Sequence, residues 1–573
     1  MCPRERRMQT WFAAVLVVLM SLFPVWAAAR QNAATPGAGT GSLRSIAREE
    51  YEAQLSEVLQ RAPAAQSGGD FIAAETSDIQ SMFPLFAEDD VTVGIVGLVY
   101  QGLIGTDLRT GQPAPTGLAD SWEIAPDLVT YTFHLNQDAR WHDGADVTAA
   151  DVQFSFDALA NPDTGSSYTQ SFLAATASWR VVDDDTFEVV AREPLATFLY
   201  SLVTWIVPKH IWEDVPVADW RTDGGATGQD PARVVGSGPF RFQEWRPGER
   251  VTLARNDDFF GKVPYLDSYA MMIWPDQTAM VNALLNGEVD AALLSPADVA
   301  TVAAAEGLAI ATYPTTGFTF YLTNLDPEKT SLFQDVRVRQ ALLHALDREA
   351  MARDILLGSA EVADGTQPAI SYAYAPERLN TIYDFDPERA RALLAEAGWR
   401  DGDGNGVLEK DGQPFTFELI YRTGSPTDEQ QVTYMQDAWR AIGVDAVPRA
   451  LEFPALIEQL SETHDFQMAM LGFGWDASFV QDLMFGCVQY EGGFNAMRYC
   501  NPEVDALNAE AMRTFDEPAR RELLIAATDL VNEDLPVAVL HFTSESVGFS
   551  DRLRNFLPTS WGTDLTHVWI AEE

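Results

Sequence analysis

Residues 131–159 read YTFHLNQDARWHDGADVTAADVQFSFDAL, and the pattern changes character twice along them. With Thr130 in front, TYTFHL alternates apolar and polar side chains, the period of a strand with one buried face. WHDG follows as a turn, in which Gly144 tolerates a positive φ. Thr148 is placed to cap a helix that Asp151 enters, and AADVQFSFDAL continues at helical spacing. A strand handed directly to a helix through a glycine turn points to a mixed α/β protein.

The same alternation of types extends outward. DTFEVVA (185–191) reads as a strand, and FRFQEW (240–245) and RVTLAR (250–255) read as a hairpin around RPGE. GSGPF (236–240) sets two glycines before a proline, a composition suited to a tight bend into that hairpin. Helices are expected at 149–159, 279–287, 335–356, 387–398 and 518–534. In the third, Val338, Ala341, Leu342 and Ala345 form the buried stripe, with the arginines at its margin.

At 573 residues the chain exceeds one compact core, so two or three domains are expected. A formal net charge of −46 disfavours nucleic acid and anionic membrane surfaces as partners. None of the seven histidines stands in an H-x-x-x-H or H-E-x-x-H pair, and there is no G-x-S-x-G elbow or Walker loop. His142, in WHDG, is the most tempting catalytic candidate, but a turn histidine holding a strand-to-helix corner explains it more simply. The sequence therefore reads as a non-enzyme.

Arg4, Arg6 and Arg7, the apolar run Trp11 to Trp26, and Ala27-Ala28-Ala29 have the layout of a cleaved signal peptide over residues 1–29. No cysteine follows the apolar run, so a lipid anchor is not expected. Export places the mature chain in the periplasm or another extracytoplasmic space. Residues 30–70 read as a linker carrying a short amphipathic helix, with Leu43, Ile46, Ala47, Tyr51, Leu55, Val58 and Leu59 at helical spacing. Beyond Cys2, lost with the signal, only Cys487 and Cys500 remain. In an oxidising compartment they are a candidate disulfide, which sequence alone leaves open.

DGDGNGVLEKDG (401–412) begins like an EF-hand calcium loop. However, a strand-like PFTFELIYR follows instead of a second helix, and Gly412 stands where a bidentate glutamate belongs. Two readings stay open: a metal-free connector, or a structural calcium on Asp401, Asp403, Asn405, the Val407 carbonyl and Asp411. No other cofactor is expected.

The stretch 131–159 resembles a signature of the bacterial extracellular solute-binding proteins of family 5, the peptide- and nickel-type receptors of ABC importers. GLADSWE (117–123), IVPKHIW (206–212), GSGPFRFQEW with RNDDFFG (236–261) and LLNGEVDAALL (284–294) resemble the family in order. So do YLTNLDPEKTSLFQDVRVRQALLHALDRE (321–349), ARALLAEAGW (390–399) and NPEVDALNAEAMRTFDEPARRELL (501–524). The resemblance implies a periplasmic-binding-protein-like type II bilobed α/β fold with an additional domain on lobe I. Lobe I would take 71–92, 205–315 and 545–573, the extra domain 93–204, and lobe II 316–544. Hinges would lie near Thr315–Thr323 and Phe542–Phe549.

The implied function is solute capture, most simply of an oligopeptide or dipeptide, for a membrane permease and its ATPase, by a monomer. An oligosaccharide or a nickel chelate is the alternative ligand, and a periplasmic chaperone or sensory receptor the alternative role. Peptide-binding relatives pair the peptide's α-amino group with an aspartate in an aromatic-x-x-Asp segment. The corresponding stretch here is GFGWDASFVQDLMF (472–485), with Phe473, Trp475 and Asp476. It lacks the Asp-Pro that usually follows, so Asp476 as a helix cap stays open beside amine pairing. Trp205, Tyr321 and Asn324, near the lobe crossings, and Met82, near the start of the cleft floor, complete the pocket candidates.

Overall fold

The computed structural model describes residues 43–45, 47–48, 59, 67–491 and 493–571. The signal segment 1–29 and most of the expected helix at 43–62 lie outside the described residues. Where that helix was to begin, Leu43–Arg44 is instead a strand, paired antiparallel with Ile124 and Glu123. Among the described residues no helix is long and apolar enough to cross a membrane.

The chain divides into two compact units. The first runs to Tyr313 and resumes at Glu545; the second is Pro314–Ser544. Two strands, Leu308–Thr323 and Val537–Ser550, carry the chain across and back.

Among the described residues, two large sheets and two short two-stranded ones fall in the first unit. One large sheet is antiparallel, in the spatial order Leu43–Arg44, Ala119–Ile124, Thr130–Leu135, Thr186–Ala191, Thr176–Asp183. The helix Ala149–Ala160 packs on it, turning Phe156 edge-on to Phe187. The other sheet starts with the expected hairpin, Phe240–Arg246 and Arg250–Arg255. Ser268–Ile273 pairs antiparallel with the hairpin and parallel with Asp70–Glu75. Ala291–Leu294 joins parallel to Asp70–Glu75 and antiparallel to Ser546–Phe549. Phe71, Val96, Val99, Phe240, Leu253 and Met271 lie in its core.

The motif residues meet at one joint in this unit. The His142 ring accepts the Gly236 amide hydrogen at Nδ1 (3.2 Å) and bonds the Gly238 carbonyl through Nε2 (3.1 Å). The His142 backbone amide donates to the Gly236 carbonyl at 2.7 Å. Asp151 accepts from the Thr148 amide, closing the capping box, and from the Lys209 amide (both 2.9 Å), which ties IVPKHIW to the same helix. Ser155 Oγ takes the Val207 amide at 2.9 Å. His142 is therefore a structural histidine with its proton on Nε2. Burial, with Arg241 acting in the same direction, holds its pKa down to about 4.

The two glycines of GSGPF serve a purpose other than the expected bend. Neither lies in the left-handed region. They let the chain run against the end of helix Asp90–Val99: a Cβ on Gly236 would sit 1.9 Å from the Val99 carbonyl oxygen, and one on Gly238 2.5 Å from that of Leu98. The Gly238 amide donates to the Val99 carbonyl at 2.8 Å, satisfying one acceptor left over at the helix terminus.

In the second unit Thr416–Arg422 lies parallel to both Asp445–Leu451 and Met468–Gly474. Met468–Gly474 pairs antiparallel with Gly317–Thr323. The expected helix 335–356 is interrupted. Val336–His344 ends, Asp347 caps Arg348–Ala350 through the Ala350 amide (2.8 Å), and Met351–Ile355 forms a π turn. Arg339 is buried, against the marginal position expected of it. Its guanidinium donates to the Phe333 (2.6 Å) and Asp534 (3.0 Å) carbonyls. Arg348 is buried likewise, donating to Val539 (3.1 Å) and Tyr383 (2.7 Å). Hydrogen bonding to backbone carbonyls makes these burials tolerable.

Gly236→Ala tests the close approach. It should cost about 3 kcal/mol, read as a clear fall in melting temperature. Gly94→Ala, on the same helix but with nothing within 4 Å of its Cβ position, should be neutral or slightly stabilising.

Candidate functional site

In the second unit an aromatic group gathers where strand Met468–Gly474 ends. Met468 and Met470 point into the core, so the alternation turns Phe473 to the opposite face, across from Phe318 in the register. Their ring centroids are 5.9 Å apart. Trp475 stacks on Phe318 at 5.6 Å and is buried, its Nε1 donating to the Thr366 carbonyl at 2.7 Å. Trp475 thus forms the floor of the group, while Phe473 is half-buried.

Asp476 comes next and is exposed. Its Oδ1 accepts from the Ser478 amide (2.8 Å) and the Ser478 hydroxyl, capping a turn instead of a helix. Among the described residues Oδ2 receives no hydrogen bond. One side of the carboxylate is committed to the loop, and the other faces solvent.

The segment after helix Asp482–Phe485 completes the aromatic group. Cys487 and Cys500 form a disulfide, closing a loop that carries Phe494. A crosslink of this span restricts the unfolded chain by about 3 kcal/mol. Phe494 meets Phe473 edge-on at 5.5 Å and is half-buried. Sequence reading missed Phe494, because a single aromatic between Gly493 and Asn495 has no period to betray its face.

Three pocket candidates belong to cores. Tyr321 is 1 % exposed and lies edge-on to Trp439 in the second unit's core. Asn324 is fully buried; its amide donates to the His464 (3.1 Å) and Phe466 (3.0 Å) carbonyls and its oxygen accepts from the Asp326 amide. Met82 is fully buried in the first unit. Each is spent on packing or backbone satisfaction and presents nothing to a solute. Trp205 differs: it is half-buried against the first unit's core and forms an isolated bridge to Gly102.

In the loop 401–412, Asp401 accepts from the Gly404 (2.7 Å) and Gly406 (3.1 Å) amides. Asp403 accepts from the Asn405 amide (3.0 Å), and Asn405 from the Val407 amide (2.8 Å). These side chains order the turn themselves. Asp411 sits apart, in the tight turn between strands Glu409–Lys410 and Gln413–Pro414. Among the described residues no group of three or more His, Cys, Asp and Glu side chains could hold a metal ion.

The first unit carries a polar group that sequence reading also missed. Tyr313 donates its hydroxyl to Glu545 at 3.2 Å, these being the last and first residues of the unit at the two crossings. Burial, then the charges of Asp90 and Glu545, push Glu75 up to about 7, against the Thr76 amide. Glu545 is raised by burial and Asp90, against the Tyr313 hydroxyl. Tyr269 and Tyr313, both raised chiefly by burial, also feel Glu75.

A profile of the bacterial extracellular solute-binding proteins, family 5 (middle), matches residues 115–493. The oligopeptide-binding protein AppA of Bacillus subtilis is 28% identical over 511 residues, covering 87% of this chain and 91% of AppA. Its structure with a nonapeptide superposes with a TM-score of 0.69 at 27% identity, covering 88% of this chain and 100% of that one. The dipeptide-binding protein of Escherichia coli is 26% identical over 77% of this chain and 83% of its own length. NikZ of Campylobacter jejuni, solved with Ni(L-His), gives a TM-score of 0.69 at 25% identity, over 87% of this chain and 99% of that one. The fold is thus the mixed α/β, bilobed periplasmic-binding-protein fold.

The Glu75 group has a pH signature. A carboxyl raised in the folded state holds its proton more tightly than the unfolded chain does. Its contribution to stability is complete below about pH 4.5 and is lost as pH rises through about 7. Glu75→Gln should therefore raise the melting temperature by a few degrees at about pH 8 and give no gain near pH 4. Thermal melts of both proteins across that range measure it.

Proposed function

The chain belongs to the bacterial extracellular solute-binding proteins of family 5, and on that premise we propose that it captures oligopeptides outside the cytoplasm for an ABC importer. The observation that carries the peptide reading is Asp476, an exposed carboxylate with an uncommitted oxygen beside the half-buried Phe473. A carboxylate with a free oxygen can take a charge-assisted hydrogen bond from an ammonium. AppA, whose structure holds a nonapeptide, and the dipeptide-binding protein of E. coli support the same ligand class.

The remaining assignments follow the same reading. The segment 1–29 directs export and is removed, leaving an unlipidated monomer that presents its loaded form to a permease with its ATPase. Leu308–Thr323 and Val537–Ser550 act as the hinge, since two strands through which the chain passes can absorb a closure in few dihedrals. Ligand shifts that closure only by its differential affinity for the closed form. No chemical step is asked of the protein.

Titration calorimetry with tetra-alanine and its N-acetylated form tests the amine pairing. Removing a charge-assisted bond should weaken binding by tenfold or more, so acetylation and Asp476→Asn should each do so, and their effects should not add. Equal affinity for both peptides would overturn the role of Asp476. The loop 401–412 is read as a metal-free connector. Its melting contribution should be the same in excess calcium and in EGTA, and a calcium-dependent rise lost in Asp403→Ala would reverse that assignment.

A further inference from the structure

Of residues 475–481, Asp476 alone is exposed; its neighbours on both sides are buried. They lie in a loop, without a ladder of backbone bonds, so the direction of the Asp476 carboxylate depends on what holds those neighbours. Segment 366–372 holds them at four points. The Trp475 indole donates to the Thr366 carbonyl (2.7 Å), and the Thr366 hydroxyl donates to the Gln481 side-chain oxygen (3.1 Å). The Gln367 side-chain amide donates to the Phe479 carbonyl (2.9 Å), and the Tyr372 hydroxyl to the Ser478 carbonyl (2.9 Å). Amid these ties Phe479 takes a φ of 54°, a left-handed conformation that a bulky side chain adopts only where its surroundings impose it. Its buried ring lies edge-on to Tyr372 at 6.0 Å.

Tyr372 is itself braced from helix Glu517–Asp534. The buried Arg520 donates from Nε to the Tyr372 hydroxyl (3.0 Å) and from its guanidinium to the Thr514 carbonyl (3.2 Å), while Arg521 donates to the Tyr372 carbonyl (2.9 Å). A hydroxyl that accepts from a guanidinium is polarised and donates more strongly onward. Burial raises the Tyr372 pKa against Arg520, with Glu517 and Asp476 adding to the rise, so the hydroxyl keeps the proton that it gives to Ser478. Ser478 passes the restraint on, because its amide (2.8 Å) and its hydroxyl both donate to Asp476 Oδ1. The chain from Arg520 through Tyr372 and Ser478 thus ends on one oxygen of the carboxylate.

We propose that Tyr372 and Ser478 are positioning residues for recognition of the ligand's ammonium group, holding Asp476 Oδ1 so that Oδ2 is presented in one direction. The proposal rests on the reading of Asp476 given above, and both residues act through that carboxylate. An exposed carboxylate left to rotate loses rotamer freedom when it pairs with a ligand, and one already held loses less.

Titration calorimetry of the intact protein with tetra-alanine and N-acetyl-tetra-alanine reads the effect as a preference, the ratio of the two affinities. Tyr372→Phe keeps the ring against Phe479 and removes only the hydroxyl, and Ser478→Ala removes one of the two bonds to Oδ1. Each should lower the preference for the free amine by about threefold to tenfold, while the acetylated peptide binds as before. In an Asp476→Asn background neither substitution should change the ratio further. Weakening of both peptides by one factor, as a role confined to folding would give, overturns the proposal, and so does a preference that survives both substitutions. Ser478→Ala carries the test should Tyr372→Phe fail to fold. If the native protein shows no preference for the free amine, the reading of Asp476 has failed and the proposal falls with it. That outcome is told apart because it appears before any substitution is made.

Discussion

The His142 ring can join its two neighbouring segments only while neutral, because Nδ1 must accept the Gly236 amide hydrogen as Nε2 donates to the Gly238 carbonyl. Around that ring the strand-turn-helix of residues 131–159, the segment 206–212 and the entry to the hairpin at 240 are locked to one another. Asp151 and Ser155 supply the second set of ties, to Lys209 and Val207. The helix Asp90–Val99 supplies the third, by accepting the Gly238 amide at its end. Most of the motifs that mark the family in the first unit are thus parts of a joint. The hydrogen bonds from His142, Asp151 and Ser155 run between segments, so each segment needs the others in place.

Where polarity alternates regularly, the sequence was legible. The strand Thr130–Leu135 and the hairpin appear with the expected bounds to within a residue, and helix Ala149–Ala160 extends one residue beyond. Side chains whose role depends on tertiary partners were not legible. Arg339 was expected at the margin of the buried stripe, and only the carbonyls that receive it explain why it is buried. Helix 335–356 read as continuous because Asp347 looks like a surface residue, although it caps a new start. GSGPF read as a bend because glycine commonly signals turns, whereas close approach to another backbone leaves no mark on composition.

The candidate site shows the same division. The aromatic-x-x-Asp segment was found by resemblance, and it contains both an exposed carboxylate and a buried tryptophan committed to Thr366. Tyr321, Asn324 and Met82 were chosen for position along the chain, which says little about facing. Phe494 and the Glu75–Glu545–Tyr313 group escaped notice because their members are scattered through the sequence. At the crossings, polar pairs stand on both sides: Thr312 with Ser546 and Tyr313 with Glu545 within the first unit, Thr315 with Thr543 within the second. Directional bonds at such places restrict which torsions can relax, and so favour a few discrete arrangements over a continuum.

Asn495 donates to the Gly486 and Tyr499 carbonyls, next to the two cysteines of the disulfide, and this clamp has an evolutionary consequence. It braces a loop from its base, so the side chain at position 494 makes none of the hydrogen bonds that hold that base together. A tip supported in this way can be exchanged without renegotiating the core beneath it.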